Sequence, residues 1–187
     1  MFQISEFIDV ILMTLGVGYI FMDIIRKPMH EYDPLAPKDT WTDLKYACLI
    51  TAPGVIFHEL AHKLAAMSLG LEATFHAAYN WLFFGIFLKL IGSGFIFFVP
   101  GYVSISNIAS PLQSAYVAFA GPALNGILYL VAVQVLNSKR PTNFKHVYFW
   151  ELTKRINGFL FIFNMLPFFF FDGAKVFGGL FQYLTTV

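Results

Sequence analysis

His58 and His62 stand four residues apart with Glu59 between them, in the order His58-Glu59-Leu60-Ala61-His62. On a helix, residues four apart share one face, so two imidazole nitrogens can converge on one Zn²⁺ while Glu59 projects beside them. A carboxylate in that position can take a proton from a metal-activated water, which is hydrolytic chemistry. The plain alternative is a pair of satisfied core histidines, which leaves the glutamate, the spacing and the apolar surroundings unexplained. Polar groups in such a stretch are costly unless something coordinates or pairs them. A zinc site of this kind needs a third protein ligand, with one position left for water or substrate. Asp172 is the candidate, because it is the only acid between Ile156 and Val187. Gly173 next to it allows the backbone to turn the carboxylate inward. Its competing role is the N-cap of a terminal helix. Cys48 is the only cysteine, so neither an internal disulfide nor a cysteine zinc site can form.

The elements that must hold these residues have the composition of membrane segments. The chain has 187 residues, of which 58% are hydrophobic and 12% charged, and its mean hydropathy is +0.67. An ordinary soluble domain is about a quarter charged. The 49 residues from Leu90 to Ser138 include no Asp, Glu, Lys, Arg or His, whereas about 20 apolar residues make one crossing. These observations predict an all-α polytopic membrane protein with about four transmembrane segments in one membrane-embedded domain, residues 1–187. A net charge of +1 offers no footprint for nucleic acid.

The expected spans are Phe7–Ile25, Leu44–Leu69, Pro111–Asn137 and a last one from Phe149 to Tyr183, interrupted by Pro167 and Asp172-Gly173. The first is read as retained, since no basic start or small-residue cleavage site accompanies it. Residues 1–43 then hold the first span and an irregular loop with Pro28, Pro34 and Pro37, and residues 44–187 hold the catalytic core. Gly70 is a helix stop, and Pro53-Gly54 predicts a kink or local unwinding one turn before His58.

Between the second and third spans the pattern changes. Asn80–Ile91 is too short to cross and reads as a half-buried or interfacial helix. Gly92-Ser93-Gly94 ends it, and Phe95–Ser106, around Pro100-Gly101, reads as two short strands joined by a turn. The pair forms a short re-entrant helix and a β-hairpin-like element, which must be covered by protein or line a wet cavity. A single span from Phe75 to Val99 is the alternative, and the glycines and Pro100 oppose it. An exposed strand edge could hold an extended peptide by strand addition, which makes Val99, Gly101, Tyr102 and Val103 candidate substrate contacts. A structural hairpin plugging the bundle fits the same residues. In the third span, Gly121 allows close helix approach, Pro122 frees a carbonyl, and Asn125 offers an amide whose plain role is an interhelical hydrogen bond.

Taken together, these residues resemble the site-2 protease family of intramembrane zinc metalloproteases. His58-Glu59-Leu60-Ala61-His62 is similar to its HExxH, Gly121-Pro122-Ala123-Leu124-Asn125 to its GPxxN, and Asn164-Met165-Leu166-Pro167 with Asp172-Gly173 to its N-x-x-P-(x)4-D-G element. The resemblance runs from roughly Ile50 to the C-terminus. It implies a zinc metalloendopeptidase that hydrolyses transmembrane proteins or peptides within the lipid bilayer by a metal-activated water. It further implies one Zn²⁺ per chain on His58, His62 and Asp172, with Glu59 as catalytic base, Asn125 as a polar group beside the reaction centre and Asn164 near substrate. Pro100-Gly101-Tyr102-Val103 looks like a segment common in microbial relatives, so the resemblance implies a multi-pass protein of a prokaryotic cell membrane.

The chain departs from the family where Phe168–Phe171 replaces an often-present second proline, and in a longer, more aromatic linker between the first two motifs. No regulatory domain of the larger relatives fits in this length. The alternative function is a catalytically silent zinc-binding relative that binds membrane partners or carries metal. Glu59 and all three candidate ligands are nevertheless present, and only His76 could extend a carrier path. Basic residues concentrate in Arg26–Lys45 and Lys139–Arg155, with Lys63 and Lys89 opposite, which by the positive-inside rule puts the first two regions in the cytoplasm. The resemblance instead implies a cytosolic loop after the HExxH helix.

Overall fold

Helix α1 (Ile4–Phe21) and helix α4 (Pro111–Asn137) are the two helices long and apolar enough to cross a membrane among the described residues. The computed structural model describes residues 3–25, 39–93, 101–107, 110–138, 144–168 and 171–186. Helix α4 has the bounds its sequence predicts, with Pro111 in the first turn and the Ser110 hydroxyl accepting from Gln113 N at 3.2 Å. Helix α2 (Thr40–Ser68) begins a turn earlier than expected, because Asp39 caps it by accepting from Thr42 N at 3.1 Å. It stops where Gly70 takes φ 72°, with Leu71 N–H returning to the Ala66 carbonyl at 3.1 Å. The expected unwinding at Pro53 is absent, since α2 runs through it as one helix.

Strand β1 (Ala73–Ala77) follows α2 directly and pairs antiparallel with β2 (Gly101–Ile105), Phe75 opposite Val103. Helix α3 (Tyr79–Leu90) lies between them in sequence and ends at Gly92, φ 70°. A strand, a twelve-residue helix and a left-handed stop therefore occupy the stretch that a single span from Phe75 would need. The hairpin expected within Phe95–Ser106 is corrected in its pairing, because the partner of β2 is β1. Ala73–Ala77 carries two alanines flanking Phe75, too weak a β signal to be read locally. Val99 and the first expected strand lie outside the described residues.

Helix α3 lies along α1. Tyr79 donates to the Asp9 carboxylate, which holds the phenol above its ordinary pKa, and Lys89 donates to the Tyr19 carbonyl and sits 3.0 Å from Asp23. Both intervals are ten residues, so the helices run side by side in the same direction for about 15 Å. Helix α5 (Phe144–Asn164) and helix α6 (Asp172–Thr186) form the broken last segment, with α5 starting before the expected Phe149.

Polar and charged side chains lie inside this fold beside its apolar core, and large apolar side chains lie outside it. Lys63, grouped above with the charges of one loop side, is 1% exposed and donates to Glu6 at 2.6 Å. His58, Glu59, His62, Asn125 and Asn157 are also buried, while Phe83, Leu130, Ile162 and Phe181 face outward. Soluble proteins almost never bury lysine and rarely expose so many large apolar side chains together.

Candidate metal centre

Two antiparallel stripes with matching four-residue spacing build the site. Gly54, His58 and His62 follow one face of α2, and Asn125, Gly121 and Val117 follow the facing side of α4. A turn separates successive members on both helices, so each histidine meets its own partner. His58 Nδ1 lies 2.5 Å from Asn125 Oδ1, and His62 Nδ1 lies 2.7 Å from the Val117 carbonyl oxygen. Pro122 leaves the Ala118 carbonyl without a helical partner, yet the oxygen used is Val117's, one residue earlier. Gly121 sits where the two rings come closest, and a Cβ there would stand 2.7 Å from His58 Nε2.

These contacts set the tautomers. Asn125 Nδ2 donates to the Gly54 carbonyl and to Asn157 Oδ1, each at 2.9 Å, so its oxygen faces His58 and accepts from Nδ1–H. A backbone carbonyl likewise accepts from His62 Nδ1–H. With both imidazoles neutral, as a metal ligand requires, both Nε2 atoms present lone pairs, and the 3.1 Å between them is then not a hydrogen bond. Asp172 opens α6 and puts Oδ2 3.1 Å from His58 Nε2 and 3.2 Å from His62 Nε2. Three electron-pair donors converge on one point, an arrangement that repels itself unless a cation occupies it. Donor atoms around tetrahedral zinc, with bonds of about 2.0–2.1 Å, stand roughly 3.3 Å apart. The triangle of 3.1, 3.1 and 3.2 Å fits that ion. Imidazole nitrogens braced by carbonyl-type acceptors on their far side are the usual support of such a donor.

The break between α5 and α6 aims Asp172. Gly173 is tolerated there for closeness and not for an unusual φ, since an added Cβ would meet the Leu166 and Met165 carbonyl oxygens at 2.5 Å. The donors open on a cleft of about 340 Å³ that Glu59, Gly101, Tyr102, Val103 and Asn164 also line. Asn125 does not line it. The amide is fully buried behind His58, on the side away from Nε2.

Over 178 residues, 94% of this chain and 84% of the relative, the sequence is 32% identical to a Methanocaldococcus jannaschii protein named "putative zinc metalloprotease". The chain belongs to that zinc metalloprotease family. No protein-family model matches the chain, and no solved structure matches it. The relative's name implies zinc, the ion that the geometry of His58, His62 and Asp172 fits.

Two further residues that shape this centre, Asn157 and Lys175, carry little local signal in the sequence. Asn157 follows the charged stretch Glu151–Arg155, so nothing local announces its burial, and a buried amide needs partners. Lys175, one turn after Asp172, lines the same cleft. Its signal was the same spacing rule that picked out His58 and His62.

Proposed function

We propose that this zinc metalloprotease works within the membrane, as a site-2-type endopeptidase that hydrolyses peptide bonds of transmembrane proteins. The observation that carries this reading is a three-donor metal site with an adjacent carboxylate, enclosed by helices whose outward faces are apolar. Every charged or histidine side chain in the second half of α2, namely His58, Glu59, His62 and Lys63, is buried, while Leu49, Phe57 and Leu64 point outward. Such a helix is compatible with lipid despite its charges, because the polar groups face the bundle interior. Four crossings follow, made by α1, α2, α4 and the broken α5–α6 segment. The break falls at the metal centre, where Asn164 closes α5 and Asp172 opens α6 on one cleft. Helix α3, running alongside α1 for half a bilayer thickness, is re-entrant.

His58, His62 and Asp172 would hold the zinc, one ion per chain. When bound, zinc supplies a Lewis acid that polarises a peptide carbonyl and acidifies water. Glu59 accepts the proton of the attacking water and returns it to the leaving amine, and the buried setting keeps competing water away. Asn125 and the Val117 carbonyl hold the histidine rings in place. The edge of β2 away from β1 has no strand partner among the described residues. An extended substrate segment pairs there through main-chain hydrogen bonds, beside Gly101, Tyr102, Val103 and Asn164.

The test uses purified full-length protein with a transmembrane substrate. Glu59→Gln should keep its zinc while turnover falls at least about 10²-fold, and Asp172→Ala should lose zinc by elemental analysis. Unchanged turnover in Glu59→Gln would end the proposal. Zinc binding without cleavage of any membrane substrate would favour a silent, partner-binding relative.

A further inference from the structure

We propose that Asn157, on α5, is a positioning residue that keeps His58 in its metal-binding tautomer. This rests on His58 being a zinc donor, as argued above. An asparagine amide can turn over and exchange its oxygen for its nitrogen at little cost in shape. If Asn125 turned over, its NH₂ would face His58 Nδ1. The imidazole proton would then move to Nε2 and cap the atom that must bind the metal.

Two oxygens oppose that turn, the Gly54 carbonyl and Asn157 Oδ1, both 2.9 Å from Asn125 Nδ2. Asn157 is itself held, because its Nδ2 donates to the Thr153 carbonyl at 2.9 Å and leaves only the oxygen for Asn125. The result is a one-way relay. Thr153 accepts from Asn157, Asn157 from Asn125, and Asn125 from His58. All donors point away from the metal, so the lone pair arrives at Nε2. Asn157 is 2% exposed, so its oxygen is shielded from bulk solvent. Gly54 makes the room, since a Cβ there would stand 3.1 Å from Asn157 Oδ1. Helix α5 thus shapes the centre from this face without giving it a donor.

The test measures zinc affinity by chelator competition on the full chain, and the His58 tautomer by ¹⁵N NMR of the zinc-free protein. Asn157→Leu, which removes the acceptor at similar size, should weaken zinc about 10–100-fold and reveal an Nε2–H population at His58. Asn157→Asp keeps the acceptor for Asn125 but loses the amide that donates to the Thr153 carbonyl, so it should retain the wild-type His58 tautomer and lose less zinc affinity than Asn157→Leu. Gly54→Ala, which favours the helix and crowds the Asn157 oxygen, should give an intermediate loss and serves if Asn157→Leu does not fold. A folded Asn157→Leu or Gly54→Ala with wild-type affinity and an unchanged tautomer would overturn the proposal. His58→Ala separates the two levels. If it keeps its zinc, the metal-site reading itself fails. If it loses zinc while Asn157→Leu does not, only the role of Asn157 falls.

Discussion

Gly121→Ala adds one methyl group at the point where the two histidine rings and α4 meet. The new Cβ would stand 2.7 Å from His58 Nε2 and from His62 Cε1, and closer still to His62 Nε2, whereas ordinary contact begins at 3.4 Å. The rings must retreat by more than about 0.7 Å or α4 must move away by as much. Metal–ligand distances tolerate only about ±0.2 Å, so at least one donor is lost. Hydrogen bonds that brace a metal ligand are alone worth about 10–100-fold in metal affinity, and losing a donor should cost at least the upper figure. Gly126→Ala is the matched control on the same helix. The atoms nearest its Cβ would be Phe161 ring carbons, at 3.4 Å and beyond, and alanine gains about 1 kcal/mol of helix propensity over glycine. Chelator competition gives the affinity, and far-UV circular dichroism checks that both variants fold. A folded Gly121→Ala with wild-type zinc affinity would mean that His58 and His62 do not form the metal centre described.

Lys63→Met should cost about 3–5 kcal/mol, because it leaves the Glu6 carboxylate buried and unpaired. Chemical denaturation reads the loss, and the Glu6→Gln, Lys63→Met double variant should recover most of it. A single variant as stable as wild type would show that the pair is not a buried ion pair. At the strand edge, Val103→Pro removes a backbone donor and should impair cleavage of a transmembrane substrate with zinc retained, whereas Val103→Thr keeps that donor and should be nearly silent. Equal turnover by Val103→Pro and wild type would assign β2 to structure alone.

Local chemistry made much of this protein legible from its sequence. His58, Glu59 and His62 share a helix face by spacing, α4 begins at a capped proline, and Gly70 and Gly92 stop helices because a left-handed residue is cheap only without a Cβ. The absence of charge from Leu90 to Ser138 announced apolar segments with equal clarity. Each of these signals lies within a few residues of the feature it specifies. The rest depended on contacts between residues far apart in the chain. Nothing near Asp172 says that its carboxylate will reach two histidines more than a hundred positions away, and only the packing of α6 on α4 decides it. Asn125 read as a group beside the reaction centre, but in the fold it stands behind His58 because Asn157 and Gly54 claim its nitrogen. By sequence Lys63 is one of two lysines opposite the basic regions, and only the packing of α1 brings Glu6 against it. Spacing along the chain determined which side chains could act together. Their order of contact was set by packing, since a buried polar group takes whatever partner the neighbouring helix supplies.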